Sequence, residues 1–244
     1  MLLSIIIVTL NAEATLSDCL QSLRDQNSKN FEIIHIDGGS VDSTMDIASS
    51  FKDLRIHSIS ESDSGLYFAM NKGLSLASGD VVSILNSDDI YLASTVELVI
   101  SHFKRNKNTD VLCGNTLHSE RGLLKPNPTN LDMEMIPHPS SFIRATSLNR
   151  IGNFNTKYRV AADYDLMLRF KASGAKFVTI DETLAVMQAG GYSEVNKKIS
   201  IEETLFLQSK HNQWSTARYI FYWIKYHFGT YARGRFRFIK GKVH

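Results

Sequence analysis

Through its first 114 residues the chain switches back and forth between short apolar runs and stretches of helical period, and few topologies tolerate that rhythm. Residues 2–9 form an unbroken aliphatic run, the pattern of a strand covered on both faces. Leu16, Cys19, Leu20 and Leu23 then recur at i, i+3, i+4 and i+7, one face of a helix, with Asn11 placed to cap it. Further strands are expected at 31–36, 55–59, 81–85 and 110–114, with helices at 43–51, 64–77 and 93–104. Such alternation implies right-handed βαβ units and a parallel sheet. Ligands of these sheets bind beyond the carboxyl ends of the strands. Three polar clusters fall there, at 9–11, 37–40 and 86–89, so chain logic gathers residues distant in sequence along one rim.

The second half is less regular. All four prolines crowd into 126–139, which marks a boundary. Beyond it a helix is expected at 162–173, strands at 176–180 and 184–188 joined by a turn at Asp181-Glu182, and helices at 200–211 and 214–228. With 244 residues the chain suits one domain plus an appendage. Its two cysteines, Cys19 and Cys113, read as core residues and exclude a disulfide framework or a cysteine-rich zinc site. Residues 1–203 carry 19 bases against 25 acids, whereas 204–244 hold eight bases and no acid. An acidic body with a basic tail, without a signal-peptide pattern or a membrane-spanning run, points to the cytoplasm.

Two nucleotide-binding readings fail: neither G-x-G-x-x-G after the first strand nor G-x-x-x-x-G-K-[ST] is present. No H-x-x-x-H pair supports a zinc hydrolase and no G-x-S-x-G supports an esterase. What remains is carboxylates. Asp88 and Asp89 follow an apolar strand and repel each other unless a cation sits beside them, which suits Mg²⁺ or Mn²⁺. Capping of the next helix is the competing reading. Asp163 shares a stripe with Leu166, Met167 and Phe170, so it reads either as a partly desolvated general base or as a helix N-cap. His138, between Pro137 and Pro139, reads as a rigid-loop residue rather than a ligand.

Five ordered blocks carry a resemblance: 4–11, 36–44 (Ile-Asp-Gly-Gly-Ser-Val-Asp-Ser-Thr), 63–73 (Asp-Ser-Gly-Leu-Tyr-Phe-Ala-Met-Asn-Lys-Gly), 77–89 with Asn86-Ser87-Asp88-Asp89, and 161–166 (Ala-Ala-Asp-Tyr-Asp-Leu). Residues 3–193 thereby resemble the family 2 inverting glycosyltransferases, closest to those that build bacterial O-antigen, capsule or exopolysaccharide. The resemblance implies an α/β GT-A fold, a Rossmann-like, mostly parallel central sheet flanked by helices. Residues 1–203 would form the transferase domain (nucleotide half 1–115, acceptor half 116–203), and 204–244 a C-terminal helical extension. It implies transfer of a sugar, most simply from a UDP-hexose, to a hydroxyl of a glycan or a polyprenyl-diphosphate-linked sugar. Carried over, Thr9, Asn11 and Asp37 would meet the nucleotide, Asn71 and Lys72 would lie near it, and Asn86 and Asp88 would meet the donor. Asp88 and Asp89 would hold Mn²⁺ or Mg²⁺, and Asp163 would be the catalytic base.

Three departures stand out: Asn86 replaces the first Asp of the family's D-x-D, Met70 stands where relatives have Arg, and Ala162 replaces a Glu before the base. The aromatic, basic tail at 214–244 reads as an anchor on the cytoplasmic membrane face. Packing on the domain or on a second copy in a homodimer, and RNA binding, are its rivals. The acidic body tells against nucleic acid. A non-catalytic nucleotide-sugar-binding relative is the alternative to an enzyme.

Overall fold

A computed structural model describes residues 1–119, 123–125, 136–188 and 191–211, together with 217, 219–221, 223 and 224. The first half follows the expected alternation closely. Strands β1 (Leu3–Thr9), β2 (Phe31–Asp37), β3 (Ile56–Ser60) and β4 (Val81–Ile84) alternate with helices α1 (Leu16–Arg24), α2 (Thr44–Ser50) and α3 (Leu66–Leu76). Then come β5 (Ile90–Tyr91), α4 (Thr95–Arg105), β6 (Val111–His118), β7 (Leu123–Lys125) and a single 3-10 turn at His138–Ser140. Strand β8 (Ser141–Arg144), α5 (Ala145–Ile151), α6 (Ala162–Ala172), β9 (Phe177–Met187), α7 (Tyr192–Val195) and α8 (Lys197–His211) complete the order.

The strands join in the order β3-β2-β1-β4-β8-β6-β9-β5, with β7 on β6. From β3 to β4 every pairing is parallel, because each crossover carries a helix. Beyond β4 the sheet is mixed: β8 runs antiparallel to both β4 and β6, β9 runs parallel to β6, and β5 and β7 are antiparallel. Among the described residues, six of the nine strands thus run one way. All seven residues of β1 and of β2 are buried, as a two-sided apolar strand requires.

Two cores lie on opposite faces. One gathers Leu16, Cys19, Leu20 and Leu23 of α1 with Val96, Val99, Ile100 and Phe103 of α4. The other gathers Tyr67 and Met70 of α3 with Leu166, Met167 and Phe170 of α6. Both thiols are buried and free, Cys19 in the first core and Cys113 in the second. Gly73, inside α3, is explained by proximity: a Cβ there would stand 2.5 Å from Ile6 Cγ2, so α3 approaches β1 only without one.

Several expectations need correction. Asn11 does not cap α1; the N-cap is Thr15, and Asn11 adopts a left-handed backbone (φ 52°) that its short amide tolerates. The strands expected at 176–180 and 184–188 are one strand, β9. Asp181-Glu182 is a bulge rather than a turn, held where Asn115 Nδ2 donates to Asp181 Oδ1 at 2.9 Å. Gly114 opposite permits it, since a Cβ there would sit 2.3 Å from the Leu184 side chain. The point between 203 and 204 falls within α8, which runs on because Leu205 and Leu207 are buried, Leu207 against Ala161, Tyr164 and Leu168. Of the 214–228 helix, 217, 219–221, 223 and 224 are helical, with Ile220, Phe221, Trp223 and Ile224 exposed; the rest of 214–244 lies outside the described residues. So do Pro126 and Pro128 of the proline-rich stretch. Among the described residues no helix is long and apolar enough to cross a membrane.

Candidate active site

The rim at the carboxyl ends of β2, β1 and β4 carries the first two polar clusters side by side. Thr9 ends β1 and faces Asp37 at the end of β2: its hydroxyl donates to Asp37 Oδ1 at 2.8 Å, and His35 Nε2 lies 2.8 Å from the same oxygen of Thr9. Asp37 also accepts from the Gly39 and Ser40 amides and from the Ser40 and Ser60 hydroxyls. Burial opposes its charge, but these donors outweigh burial and hold the carboxyl down at about 2. Asp37 is 0% exposed and fully engaged by its own loop. Asn11 Oδ1 accepts from the Val41 amide, and the Asn11 amide donates to Ser40 Oγ, so Asn11 ties the 37–41 loop to β1. Thr9, Asn11 and Asp37 therefore build the rim with the groups expected to meet a nucleotide.

Asn71 and Lys72 sit on α3 and are also engaged. The Asn71 side chain brackets Phe154, donating to its carbonyl at 2.9 Å and accepting from its amide at 3.0 Å. Lys72 pairs with Glu61 at 2.5 Å. Met70 is buried in the apolar core, so that position does not present a cation to the rim in this chain.

The cluster after β4 is organised differently. Asp88 and Asp89 precede β5 and cap no helix; the N-cap of α4 is Ser94. Asp89 is buried and spends both oxygens, Oδ2 on Asn86 Nδ2 at 3.0 Å and Oδ1 on the Gln188 amide at 3.1 Å. Asn86 thus supplies a donor where an Asp would add a third negative charge, which accounts for the departure from D-x-D. Burial, then the charge of Asp88, still pushes the Asp89 carboxyl up to about 7. Asp88 is half-buried, its own carboxyl raised by burial, and no other described residue donates a hydrogen bond to it. It faces Gly191, where a Cβ would lie 3.9 Å from Asp88 Oδ2. Among the described residues no three carboxylates, histidines or cysteines gather as a closed metal cage. One free carboxylate beside an under-neutralised one is the donor set that suits a hard cation completed by a ligand's phosphates.

Asp163 lies in the first turn of α6, whose N-cap is Ala161, so it does not cap that helix. Its Oδ1 accepts from the Tyr67 hydroxyl at 3.2 Å and from the Tyr164 amide at 2.8 Å, and its Oδ2 meets His138 Nε2 at 2.5 Å. Burial alone would lower the His138 pKa; the charge and hydrogen bond of Asp163, with Asp89 adding to them, reverse this and hold it raised. Tyr67 also donates to the Val160 carbonyl, and burial with the charge of Asp163 pushes its phenol far up, so it serves only as a donor. Phe154 packs behind both rings, its centroid 5.4 Å from Tyr67 and 6.2 Å from His138. Arg169 holds the preceding loop through the carbonyls of Ile151, Gly152 and Asn153.

His138 and Tyr67 were missed as site residues. The available signal was the flanking pair of prolines, which pins a histidine at a sheet edge at little entropic cost. The α6 N-terminus is secured from afar: Glu203 of α8 accepts from the amides of Arg159, Val160 and Ala161.

A sheet parallel in its first half, an acidic pair after the fourth strand and a carboxylate at a helix start beyond it define the GT-A type of transferase. The match to the family model Glycosyl transferase family 2 spans residues 4–167, and the chain belongs to that family. It is 36% identical over 176 residues to a PGL/p-HBAD biosynthesis glycosyltransferase of Mycobacterium tuberculosis, covering 68% of each chain. It is 30% identical over 186 residues to an uncharacterized glycosyltransferase of Rickettsia typhi, covering 69% of this chain and 58% of that one. S. aureus TarS 1-349 in complex with UDP superposes with a TM-score of 0.70 at 22% identity, over 86% of this chain and 65% of that one. A Pyrobaculum calidifontis mannosyltransferase in complex with GDP-Man and Mn²⁺ gives 0.68 at 16% identity, over 88% and 65%. The expected family and fold class hold, and the chain is a glycosyltransferase.

Proposed function

We propose that this glycosyltransferase moves a hexose, with inversion, from a nucleoside diphosphate sugar (a UDP-hexose first) to a hydroxyl of a glycan or a lipid-linked sugar in cell-surface polysaccharide assembly. The observation that carries this reading is Asp88, a carboxylate with no donor from any other described residue, set against an Asp89 carboxyl raised to about 7. Such a pair is relieved by a shared proton or, without one, by a cation that offsets its charge. Mn²⁺ or Mg²⁺ held by Asp88 would supply Lewis-acid stabilisation of the departing diphosphate, worth several kcal/mol. Asp89, held by Asn86 and Gln188, keeps Asp88 in place and would share the cation with it. Asp37 stiffens the loop beside the nucleotide, with Thr9 and Asn11 fixing it to β1. The acceptor hydroxyl loses its proton at the Asp163–His138 pair, while the sugar–phosphate bond breaks toward Asp88. The tail at 214–244 holds the enzyme against the cytoplasmic membrane face, where a lipid-linked acceptor resides; the exposed Ile220, Phe221 and Ile224 support that placement.

Incubation with UDP-glucose, UDP-N-acetylglucosamine or GDP-mannose and Mn²⁺ tests the reading through release of the nucleoside diphosphate. Release that stops in EDTA is expected; undiminished release in EDTA removes the cation from the account. Liposome flotation of the chain truncated after His211 tests the tail, and unchanged flotation refutes membrane contact.

A further inference from the structure

Within the glycosyl-transfer reading Asp163 takes the acceptor proton, so its carboxylate has to be aimed. Three donors meet it. The Tyr164 amide reaches Oδ1 at 2.8 Å, the Tyr67 hydroxyl reaches Oδ1 at 3.2 Å, and His138 Nε2 lies 2.5 Å from Oδ2. They leave room for a substrate hydroxyl, because one carboxylate oxygen accepts several hydrogen bonds, as Asp37 Oδ2 does from Gly39, Ser40 and Ser60. The three donors are unequal. Tyr67 has a single proton, and the Val160 carbonyl at 2.6 Å is nearer to it than Asp163 is. The Tyr164 amide belongs to the backbone of α6 and meets Oδ1 alone. Among the described residues His138 is thus the partner of Oδ2, and the side chain whose donor is committed to the carboxylate.

The surroundings of the ring give no other reason for a histidine. Leu74 of α3, Val82 and Ile84 of β4, Ile143 of β8 and Leu148 of α5 line the small cavity beside it, and Phe154 packs with its centroid 6.2 Å away. Desolvating an imidazole there costs free energy that an apolar ring of similar shape would avoid. The fold also holds the ring still: Pro137 and Pro139 flank it, and the Pro137 carbonyl accepts from the Ser140 amide and the Ser141 hydroxyl. We propose that His138 is the positioning residue of Asp163: its Nε2–H holds Oδ2, and with it the plane of the carboxylate that meets the acceptor hydroxyl. A neutral ring donates without competing for the acceptor proton. An imidazolium also donates, but its charge weakens Asp163 as a base. The charged groups acting on the ring are Asp163 of α6 and Asp89 before β5, with the Tyr67 phenol of α3 reaching it through Asp163. The other residues lining its cavity are apolar or serine.

Two variants separate the donor from the shape. His138→Phe fills the same seat without an N–H, and His138→Gln keeps an N–H within reach of Oδ2. In transfer from the three nucleotide-sugars above to water or p-nitrophenyl hexosides, His138→Phe should lose about 10–10²-fold in kcat with the donor KM within about threefold. His138→Gln should stay within about fivefold of wild type, and its acidic limb in kcat/KM should leave the histidine range. In the Asp163→Asn background His138→Phe should cost about twofold or less, as groups acting as a unit do. His138→Phe as active as His138→Gln, an acidic limb that stays in place, or a full loss in the Asp163→Asn background overturns this inference alone. The ¹⁵N spectrum of the histidine-labelled wild type, with His138 assigned from His138→Gln, needs neither substrate nor a folded His138→Phe. It should show the neutral ring protonated at Nε2, and a bare Nε2 overturns the inference. A wild-type chain that releases no diphosphate from any of the donors overturns the glycosyl-transfer reading beneath it as well.

Discussion

Two acidic clusters stand on one sheet edge and are neutralised in opposite ways. Asp37 takes five hydrogen bonds from its own loop and from Thr9 and Ser60, and sits at about 2. Asp88 takes none from any other described residue, and Asp89, though bonded to Asn86 and Gln188, rises to about 7. A carboxylate whose charge the protein satisfies is part of the scaffold. One whose charge it leaves unsatisfied is the better candidate for holding a ligand from solution.

The comparison breaks at its widest point if Asp88→Asn transfers sugar as well as wild type. A loss of about 10³-fold is expected, read as diphosphate release in Mn²⁺, with thermal stability unchanged or raised because Asp89 loses a repulsive neighbour. Asp163→Asn should cost about 10²–10⁴-fold in turnover, measured the same way. For Asp37→Asn the effect should fall on stability instead, about 1–3 kcal/mol in urea unfolding at pH 7, because buried donors lose their acceptor. The folded pKa is depressed, so the contribution is present above pH 3.8 and disappears as pH falls through about 2; the gap between variant and wild type should close on that path. His138 works with the opposite sign. Its folded pKa is raised, so its pairing with Asp163 stabilises fully below about pH 6.5 and is lost as pH climbs through the raised value. Wild type should therefore exceed His138→Gln in melting temperature by more at pH 6 than at pH 9. Glu203→Gln should have the smallest effect, about 1 kcal/mol, through weaker acceptance from three amides at the start of α6.

The parallel half of the fold was legible because its rules are local: aliphatic strands, helix-period faces and polar residues at strand ends. The failures begin where distance enters. Asn11 satisfied the residue preference of a cap, but the chain has four further residues before the helix starts and uses Thr15. Asp181-Glu182 has the composition of a turn, yet Asn115, 66 positions away, converts it into a bulge. At the site, Asp88, Asp89 and Asp163 could be singled out because carboxylates after strands and on apolar stripes are locally odd. The engagement of Asn71 with Phe154, and of His138 with Asp163, spans 83 and 25 positions, which periodicity does not report.

Glu203 carries a lesson about where this enzyme stops. The family pattern matches through residue 167, yet the start of the helix bearing Asp163 is secured by a side chain 36 positions later. A version trimmed to the recognisable motifs would keep Asp88 and Asp163 and lose the side chain that braces the start of the helix bearing Asp163. The frame that steadies α6 therefore extends past the part that can be spotted by eye.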